Sequence, residues 1–248
     1  MSRNFDVLMK AERDSDIFEP TAVRPEIVTS EPAIAPVHID AAVHDEEMRL
    51  VQRVFLLEHS DAPHVVVFCG IEPAGGSVGI CARAAENLAD QTGLSVCLVD
   101  GNLAAPSLHR YFGEKNSGGV ADAIVNPKPV RKFVRQLEHP NVFLLPAGAA
   151  TQNARATWKS DRWRCILSEL REEFALVLIS GPPAVRQVEN VILGQMSDGI
   201  VLILEANQTR RETARTVKQT LAAANVKVLG AVLNNRTFSV PESIYRWL

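Results

Sequence analysis

The chain of 248 residues is 46% hydrophobic with a formal net charge of −3, which gives enough apolar material for one well-buried core. No apolar run approaches the roughly 20 residues that span a bilayer, and the first residues lack the apolar stretch of a signal peptide. The four cysteines form no C-x-x-C pair, so we expect reduced core thiols, no structural zinc site and a cytoplasmic protein.

The first 48 residues are acidic, because they hold eleven of the 29 Asp and Glu residues and only four of the 26 Lys and Arg residues. Residues 13–43 combine acids with four prolines and small residues, which predicts a flexible linker. Before it, Phe5, Leu8 and Met9 share one helical face, so residues 1–12 form either a short amphipathic helix or a frayed terminus. The rest of the chain has a mild basic excess, which gives no argument for nucleic-acid binding.

From residue 44 to residue 248 the sequence predicts one α/β domain, after a flexible segment at residues 1–43. An amphipathic helix over residues 44–58 leads into the buried strand Val65–Gly70, a glycine-rich turn and a further helix. A strand, a glycine loop and a helix together can hold a phosphate, because backbone N–H groups line the loop and the helix N-terminus adds positive potential. The loop has no lysine, since none occurs between Val65 and Leu98.

The remainder of the domain alternates strands with helices. We predict strands at Ser95–Val99, Val142–Leu145, Leu176–Ile179, 199–204 and 226–233. We predict helices at Pro106–Phe112, Gly118–Val125, Asp161–Phe174, 184–196 and 209–224. Continuous apolar strands separated by helices are typical of a mainly parallel sheet with helices on both faces.

Short motifs recur in a specific order between residues 46 and 235. They are Glu72-Pro73, Asp100-Gly101-Asn102-Leu103, Pro106-Ser107-Leu108-His109, Phe112-Gly113, Leu145-Pro146-Ala147-Gly148, Gly181-Pro182-Pro183, Asp198-Gly199, Thr209-Arg210-Arg211-Glu212, Leu229-Gly230 and Leu233-Asn234. Together they resemble the bacterial tyrosine kinases (BY-kinases) of capsule and exopolysaccharide synthesis, a branch of the deviant-Walker P-loop ATPases. The resemblance implies a three-layer P-loop NTPase-like fold, ATP and Mg²⁺ as cofactors, and a transmembrane polysaccharide co-polymerase adaptor as partner.

The phosphate loop can be aligned with that family in two registers. In such kinases a loop lysine contacts the β- and γ-phosphates, and the Ser or Thr beside it binds Mg²⁺. One register puts glycine in the lysine position and falls on Gly70, Gly75, Gly76 and Ser77. The other starts from the Glu72-Pro73 motif and puts Ser77 in the lysine position and Val78 in the hydroxyl position. We favour the second, which needs one fewer inserted residue before the next motif.

The catalytic positions implied by the resemblance have also changed. Asp100 is retained as a catalytic residue and a weak Mg²⁺ ligand, but Asn102 and Ser180 stand where further carboxylates are expected. Neither neutral side chain can balance a divalent cation as a carboxylate does. Arg83, on the helix after the loop, either substitutes for the lysine or faces solvent. Asn234 completes the nucleotide-binding positions, and the residue after it, commonly basic in the family, is an asparagine.

The family's oligomerisation helix is partly present. Glu46 and Arg49 match it, Gln52 replaces its last arginine, and Arg53 is adjacent. These charges form either a surface for homo-oligomers or an ordinary surface pair. The family usually has a tyrosine-rich C-terminal tail, whereas the last residues of this chain contain Tyr245 alone.

These changes predict a non-catalytic BY-kinase-like regulatory or scaffold subunit of exopolysaccharide (capsule) biosynthesis and export, at the inner face of the cytoplasmic membrane. Loss of one charge-stabilising group typically costs about 10²–10³ in rate, and three are lost here, so ATP and Mg²⁺ binding is expected to be weak or absent. Two alternatives stay open. One is an active or ATP-binding protein-tyrosine autokinase or ATPase that regulates polysaccharide chain length, and the other is a sensor that binds nucleotide without hydrolysing it.

Overall fold

The computed structural model describes residues 48–56, 62–73, 76–148, 154–184 and 187–235. Seven strands of these residues form one sheet. They are β1 (Val65–Gly70), β2 (Val96–Asp100), β3 (Arg135–Gln136), β4 (Val142–Leu145), β5 (Leu176–Ser180), β6 (Gly199–Glu205) and β7 (Val228–Asn234). The strand order is β3-β4-β2-β5-β1-β6-β7, and every neighbouring pair is parallel except β3 and β4. The predicted mainly parallel sheet is therefore confirmed.

Both faces of this sheet are buried, as the continuous apolar strands predict. In β1, Val65 and Val67 face one apolar cluster, while Val66 and Phe68 face the other. Alternate residues of a strand point to opposite faces, so a strand covered on both sides must be apolar throughout. β1 lies between β5 and β6, as is typical of a strand that is apolar on both faces.

Helices cover the two faces of the sheet. The α-helices after β1 are α1 (Ser77–Thr92), α2 (Leu108–Tyr111), α3 (Val120–Val125), α4 (Ala154–Lys159), α5 (Asp161–Glu173), α6 (Gln187–Gln195) and α7 (Arg211–Ala223). Buried residues of α1 belong to one cluster, whereas those of α5 and α7 belong to the other. The three-layer arrangement is thus confirmed, with predicted helices that end within a few residues of the observed ones.

Some short elements were not predicted from the sequence. These are the two-residue strand β3, the helix α4 and a 3-10 turn at Val130–Phe133. Trp158 of α4 meets Trp163 of α5 edge to face, with ring centroids 4.7 Å apart, and both rings are buried. Segments this short show no periodic pattern in the sequence, and they are stabilised by tertiary packing and not by local propensity.

A helix precedes β1 and packs on the domain. Residues 48–51 are α-helical and continue into a π-helical segment, Gln52–Leu56. Val51 and Phe55 are buried in the same cluster as α1, which leaves Arg49 and Arg53 exposed on the outer side. The predicted helix over residues 44–58 is therefore observed where it is described. Glu46, the segment 1–43 and Tyr245 lie outside the described residues.

The expectation that the cysteines are reduced core thiols holds for three of the four. Cys69, Cys81 and Cys97 are free, buried thiols, and burial raises the pKa of Cys69 to about 12. Cys165 is also free but exposed, so the prediction that it is a core thiol is wrong. It lies within α5, on the side opposite the buried face of that helix. None of the helices in the described part of the chain is long and apolar enough to cross a membrane.

Candidate functional site

The predicted site residues lie at the carboxyl ends of neighbouring parallel strands. Gly70 ends β1, Asp100 ends β2, Ser180 ends β5 and Asn234 ends β7. Because these strands are parallel, their carboxyl ends meet at one edge of the sheet, where ligands bind in open α/β folds. The fold therefore brings together residues that are far apart in sequence.

The glycine-rich turn joins β1 to α1 at this edge. Gly76 is the residue before the first residue of α1, Ser77, and Gly75 lies outside the described residues. A Cβ on Gly70 would lie 3.2 Å from both Cβ and Oγ of Ser77, so the chain turns back closely on itself. Val78, in the hydroxyl position of the favoured register, is half-buried in the first turn of α1.

A carboxylate that was not predicted from the sequence lies against this turn. Glu205, the last residue of β6, is 4% exposed, and its Oε1 accepts a hydrogen bond of 2.9 Å from the backbone N–H of Gly76. Asn234 Nδ2 donates to the same oxygen at 2.8 Å, and Asn235 Nδ2 donates to Oε2 at 2.8 Å. In the sequence, this residue is visible only as an acidic residue at the end of the apolar run of β6. The pairing of β6 with β1 brings it to the glycine-rich turn.

Asn234 also limits what can replace Gly76. A Cβ at position 76 would lie 2.8 Å from Asn234 Nδ2, which is closer than real Cβ contacts. Asn234 therefore lies at the glycine-rich turn, and its described partner there is the carboxylate of Glu205. Asn235 has a positive φ of 54°, a conformation that asparagine tolerates better than most residues.

The carboxylate of Asp100 is buried and holds the turn after β2. Its Oδ2 accepts from the backbone N–H groups of Ser107 (3.0 Å) and Leu108 (2.9 Å), and its Oδ1 accepts from Asn102 (3.2 Å). Burial raises the pKa of Asp100 to about 6, although these hydrogen bonds and the charge of Arg110 act in the opposite direction. Both oxygens of Asp100 thus already have backbone partners.

The other two positions that were predicted as catalytic, Asn102 and Ser180, lie beside Asp100. Ser180 is buried and pairs with Asp100 in the register between β5 and β2. Asn102 is half-buried, and its Oδ1 accepts from Ala105 N at 3.3 Å. Gly101 passes so close to β5 that a Cβ there would lie 2.9 Å from the carbonyl oxygen of Ser180. Among the described residues, no group of three His, Cys, Asp or Glu side chains is placed to hold a metal ion.

Arg83 folds back along α1 toward the phosphate loop. A Cβ on Gly79 would lie 2.8 Å from Nη1 of Arg83 and 3.7 Å from the ring of Tyr111, so the absent side chain makes room for the guanidinium. Arg83 is half-buried in this position. It lies between one and two turns of helix after Ser77, on the side of α1 that faces Tyr111 of α2.

Comparison with known proteins identifies relatives of the chain. No protein-family model matches it. It is 26% identical over 167 residues to the tyrosine-protein kinase YwqD of Bacillus subtilis, a match that covers 67% of this chain and 70% of that protein. It is 20% identical over 171 residues to the tyrosine-protein kinase Etk of Escherichia coli, which covers 69% of this chain but 23% of the longer Etk chain.

Solved structures share the fold. The chimerical protein CapA2B2 superposes with a TM-score of 0.75 at 19% identity, covering 80% of this chain and 87% of that one. The cell division ATPase MinD of Pyrococcus furiosus superposes with a TM-score of 0.60 at 20% identity, covering 74% and 78% of the two chains. At these identities the structures establish the fold alone, a three-layer P-loop NTPase-like fold, and the sequence matches show which proteins this chain is similar to. The chain is similar in sequence to bacterial tyrosine-protein kinases and shares its fold with a solved kinase domain of that kind.

Proposed function

We propose that this chain is a non-catalytic, BY-kinase-like regulatory or scaffold subunit of exopolysaccharide (capsule) biosynthesis and export. The observation that carries the proposal is the environment of Asp100, the one carboxylate at the three catalytic positions. Both its oxygens accept backbone N–H bonds, from Asn102, Ser107 and Leu108. These bonds take three of the about four acceptor sites of the carboxylate, so Asp100 closes the turn that begins α2 and keeps one site, on Oδ1, for a metal ion.

The residues present do not fit Mg·ATP in the way that the family holds it. The loop lacks the lysine, and a carboxylate lies against the N–H of Gly76, where a phosphate would need a donor. Asn102 and Ser180 supply no charge for a divalent cation. Phosphoryl transfer depends on positioning and charge stabilisation, and each lost group costs about 10²–10³ in rate, although the losses do not simply multiply. ATP and Mg²⁺ binding is therefore weak or lost in this proposal.

One observation favours a second candidate, an ATP-binding protein-tyrosine autokinase or ATPase. The guanidinium of Arg83 lies against Gly79, which is two residues after Ser77 in the first turn of α1. An arginine there could contact a phosphate in place of the lysine, because guanidinium groups bind phosphate oxygens well. The geometry does not supply the missing carboxylates, so this candidate ranks second.

We expect no phosphotyrosine on the purified full-length chain after incubation with Mg·ATP, because the lysine and two carboxylates are replaced. Mass spectrometry of Tyr111 and Tyr245 checks this directly, with an active tyrosine-protein kinase as positive control. The same samples are compared for melting temperature with and without Mg·ATP. Phosphate on either tyrosine overturns the proposal in favour of the second candidate, and stabilisation without turnover indicates a nucleotide sensor.

For the partners, we propose a transmembrane polysaccharide co-polymerase adaptor and, through the helix before β1, a second copy of this chain. This places the protein at the inner face of the cytoplasmic membrane. The support is the kinship with tyrosine-protein kinases and the exposed pair Arg49 and Arg53, which the helix presents while Val51 and Phe55 hold it on the domain. A cationic surface on a docked helix can face an acidic surface of a neighbouring copy.

Reversing the charge of Arg49 tests the self-association. Arg49→Glu is expected to raise the dissociation constant of the homo-oligomer at least tenfold, with little change in melting temperature, because the side chain is exposed. Sedimentation velocity over a concentration series measures it. Lys218→Glu, an equal charge change at an exposed position of α7, is the control. Equal effects of the two variants, or a monomeric parent chain, would exclude this surface.

A further inference from the structure

The phosphate loop of this protein already has an anionic group bound to it. Glu205 ends β6, directly beside β1, and its carboxylate is 4% exposed. Oε1 accepts a hydrogen bond of 2.9 Å from the N–H of Gly76. Gly76 is the N-cap of α1, a helix of 16 residues whose first turn has no acidic residue and whose N-cap has no side-chain cap of its own. Glu205 thus supplies from another strand the negative group that this helix end lacks.

The chemistry of this contact is that of phosphate binding. The first N–H groups of a helix have no partner within the helix, and its N-terminus carries partial positive charge. A glycine loop at that position binds a phosphate through the same N–H groups. We propose that the carboxylate of Glu205 occupies the phosphate position of the loop as an internal anion, so that a phosphate-bearing ligand binds only by displacing it.

The carboxylate is held in place from several sides. Asn234 and Asn235 each donate one side-chain N–H to it, at 2.8 Å in both cases. The backbone of Glu205 is also fixed, because its N–H donates to Oγ1 of Thr209 and its carbonyl oxygen accepts from the N–H of Thr209, both at 2.9 Å. A charge that is buried must be hydrogen-bonded to be tolerated, and this one has three donors. A phosphate at this position would find the N–H of Gly76 already bonded, and the negative charge of Glu205 would repel it.

Removing the charge while keeping the shape tests this inference. Glu205→Gln retains one oxygen for the N–H of Gly76 and the amide of Asn234, and Asn235 can turn its own oxygen toward the new NH₂ group. The probe is inorganic pyrophosphate, titrated calorimetrically into the full-length chain without Mg²⁺. Glu205→Gln is expected to bind pyrophosphate at least tenfold more tightly than the unaltered chain.

A matched variant separates the local contact from the overall charge. Glu212→Gln makes the same charge change at an exposed position in the first turn of α7, and it is expected to bind pyrophosphate no better than the unaltered chain. Equal gains for both variants, or no gain for Glu205→Gln, would overturn the inference. Because pyrophosphate binding involves no turnover, this result is independent of whether the unaltered chain phosphorylates itself.

Hydrogen exchange on the unaltered chain gives a second measurement that needs no variant. An N–H that donates to a buried carboxylate is expected to exchange slowly, whereas the N–H of an unliganded loop exchanges at the rate of an exposed amide. Slow exchange at Gly76 in the absence of any anion supports the internal contact. Fast exchange there that becomes slow on addition of pyrophosphate would show that the loop is open, and the inference would fail.

Discussion

The triple variant Ser77→Lys, Asn102→Asp, Ser180→Asp is expected to gain a response to Mg·ATP that the unaltered chain lacks. At a ligand concentration about 100 times Kd, binding stabilises a protein by about 2.7 kcal/mol. For a domain of this size that corresponds to a rise in melting temperature of about 5–10 °C. The lysine restores the phosphate contact in the favoured register, and the two carboxylates restore charge for the metal ion.

The two new carboxylates are expected to lower the stability of the triple variant when Mg²⁺ is absent. Ser180 is buried and pairs with Asp100 in the sheet, so an Asp there puts two carboxylates side by side. Without Mg²⁺ the triple variant should therefore melt below the unaltered chain, because like charges repel in a buried site. Differential scanning fluorimetry with Mg²⁺ alone, ATP alone and both together measures the two effects.

The control variant tests which of the two registers of the phosphate loop is right. In a matched variant Gly76→Lys replaces Ser77→Lys, and its Cβ would lie 2.8 Å from Asn234 Nδ2, which forces that amide to move. We expect the weaker response from this variant. A stronger response from Gly76→Lys than from Ser77→Lys would show that the first register is right, and no response from either would contradict the expected gain.

The second large effect is a dependence of stability on pH through Asp100. Its pKa is raised by burial from 3.8 to about 6, so the folded chain holds the proton of this group more tightly than the unfolded chain does. The stability that Asp100 contributes is complete below about pH 4 and is lost as the pH rises through about 6. At about 1.4 kcal/mol per pKa unit, the loss is about 3 kcal/mol.

Asp100→Asn isolates this contribution, because an amide does not titrate. The free energy of unfolding of the variant minus that of the unaltered chain should rise by about 3 kcal/mol between pH 4 and pH 7. Urea unfolding at several pH values measures this difference, in which the titration of all other groups cancels. An Asn retains one oxygen for Ser107 and Leu108 but loses the acceptor for Asn102, which shifts the whole curve without changing its slope. A difference that stays constant with pH would exclude the raised pKa.

The buried strands could be predicted from the sequence because both faces of each strand are apolar. The run Val65–Gly70 has no alternation, and it lies in the middle of the sheet between two other strands. By contrast, β3 is two residues long, and α4 is held by the contact between Trp158 and Trp163. Neither has a local pattern, since each depends on packing against residues that are not its sequence neighbours.

The position of the site was also determined by the sequence, and its internal contacts were not. A glycine turn after a central strand, and polar residues after the other strands, place Gly70, Asp100 and Ser180 at one edge of a parallel sheet. The neutral residues Asn102 and Ser180, at positions where the family resemblance implies carboxylates, are visible without any structure. What Asp100 does there depends on distance and burial, because only the folded chain brings the N–H groups of Ser107 and Leu108 to its carboxylate.

Glu205 shows most clearly what only the tertiary structure decided. In the sequence it is an acid at the end of an apolar run, 129 residues from Gly76, with nothing to mark it as a partner of the phosphate loop. The parallel pairing of β6 with β1 puts the two at the same edge of the sheet, and Asn234 reaches the same carboxylate from the end of β7. The sequence alone determined that the loop had lost its lysine. The contact of the loop with a carboxylate of the same chain was decided by strand order, because a hydrogen bond depends on the distance between atoms and local sequence does not specify that distance.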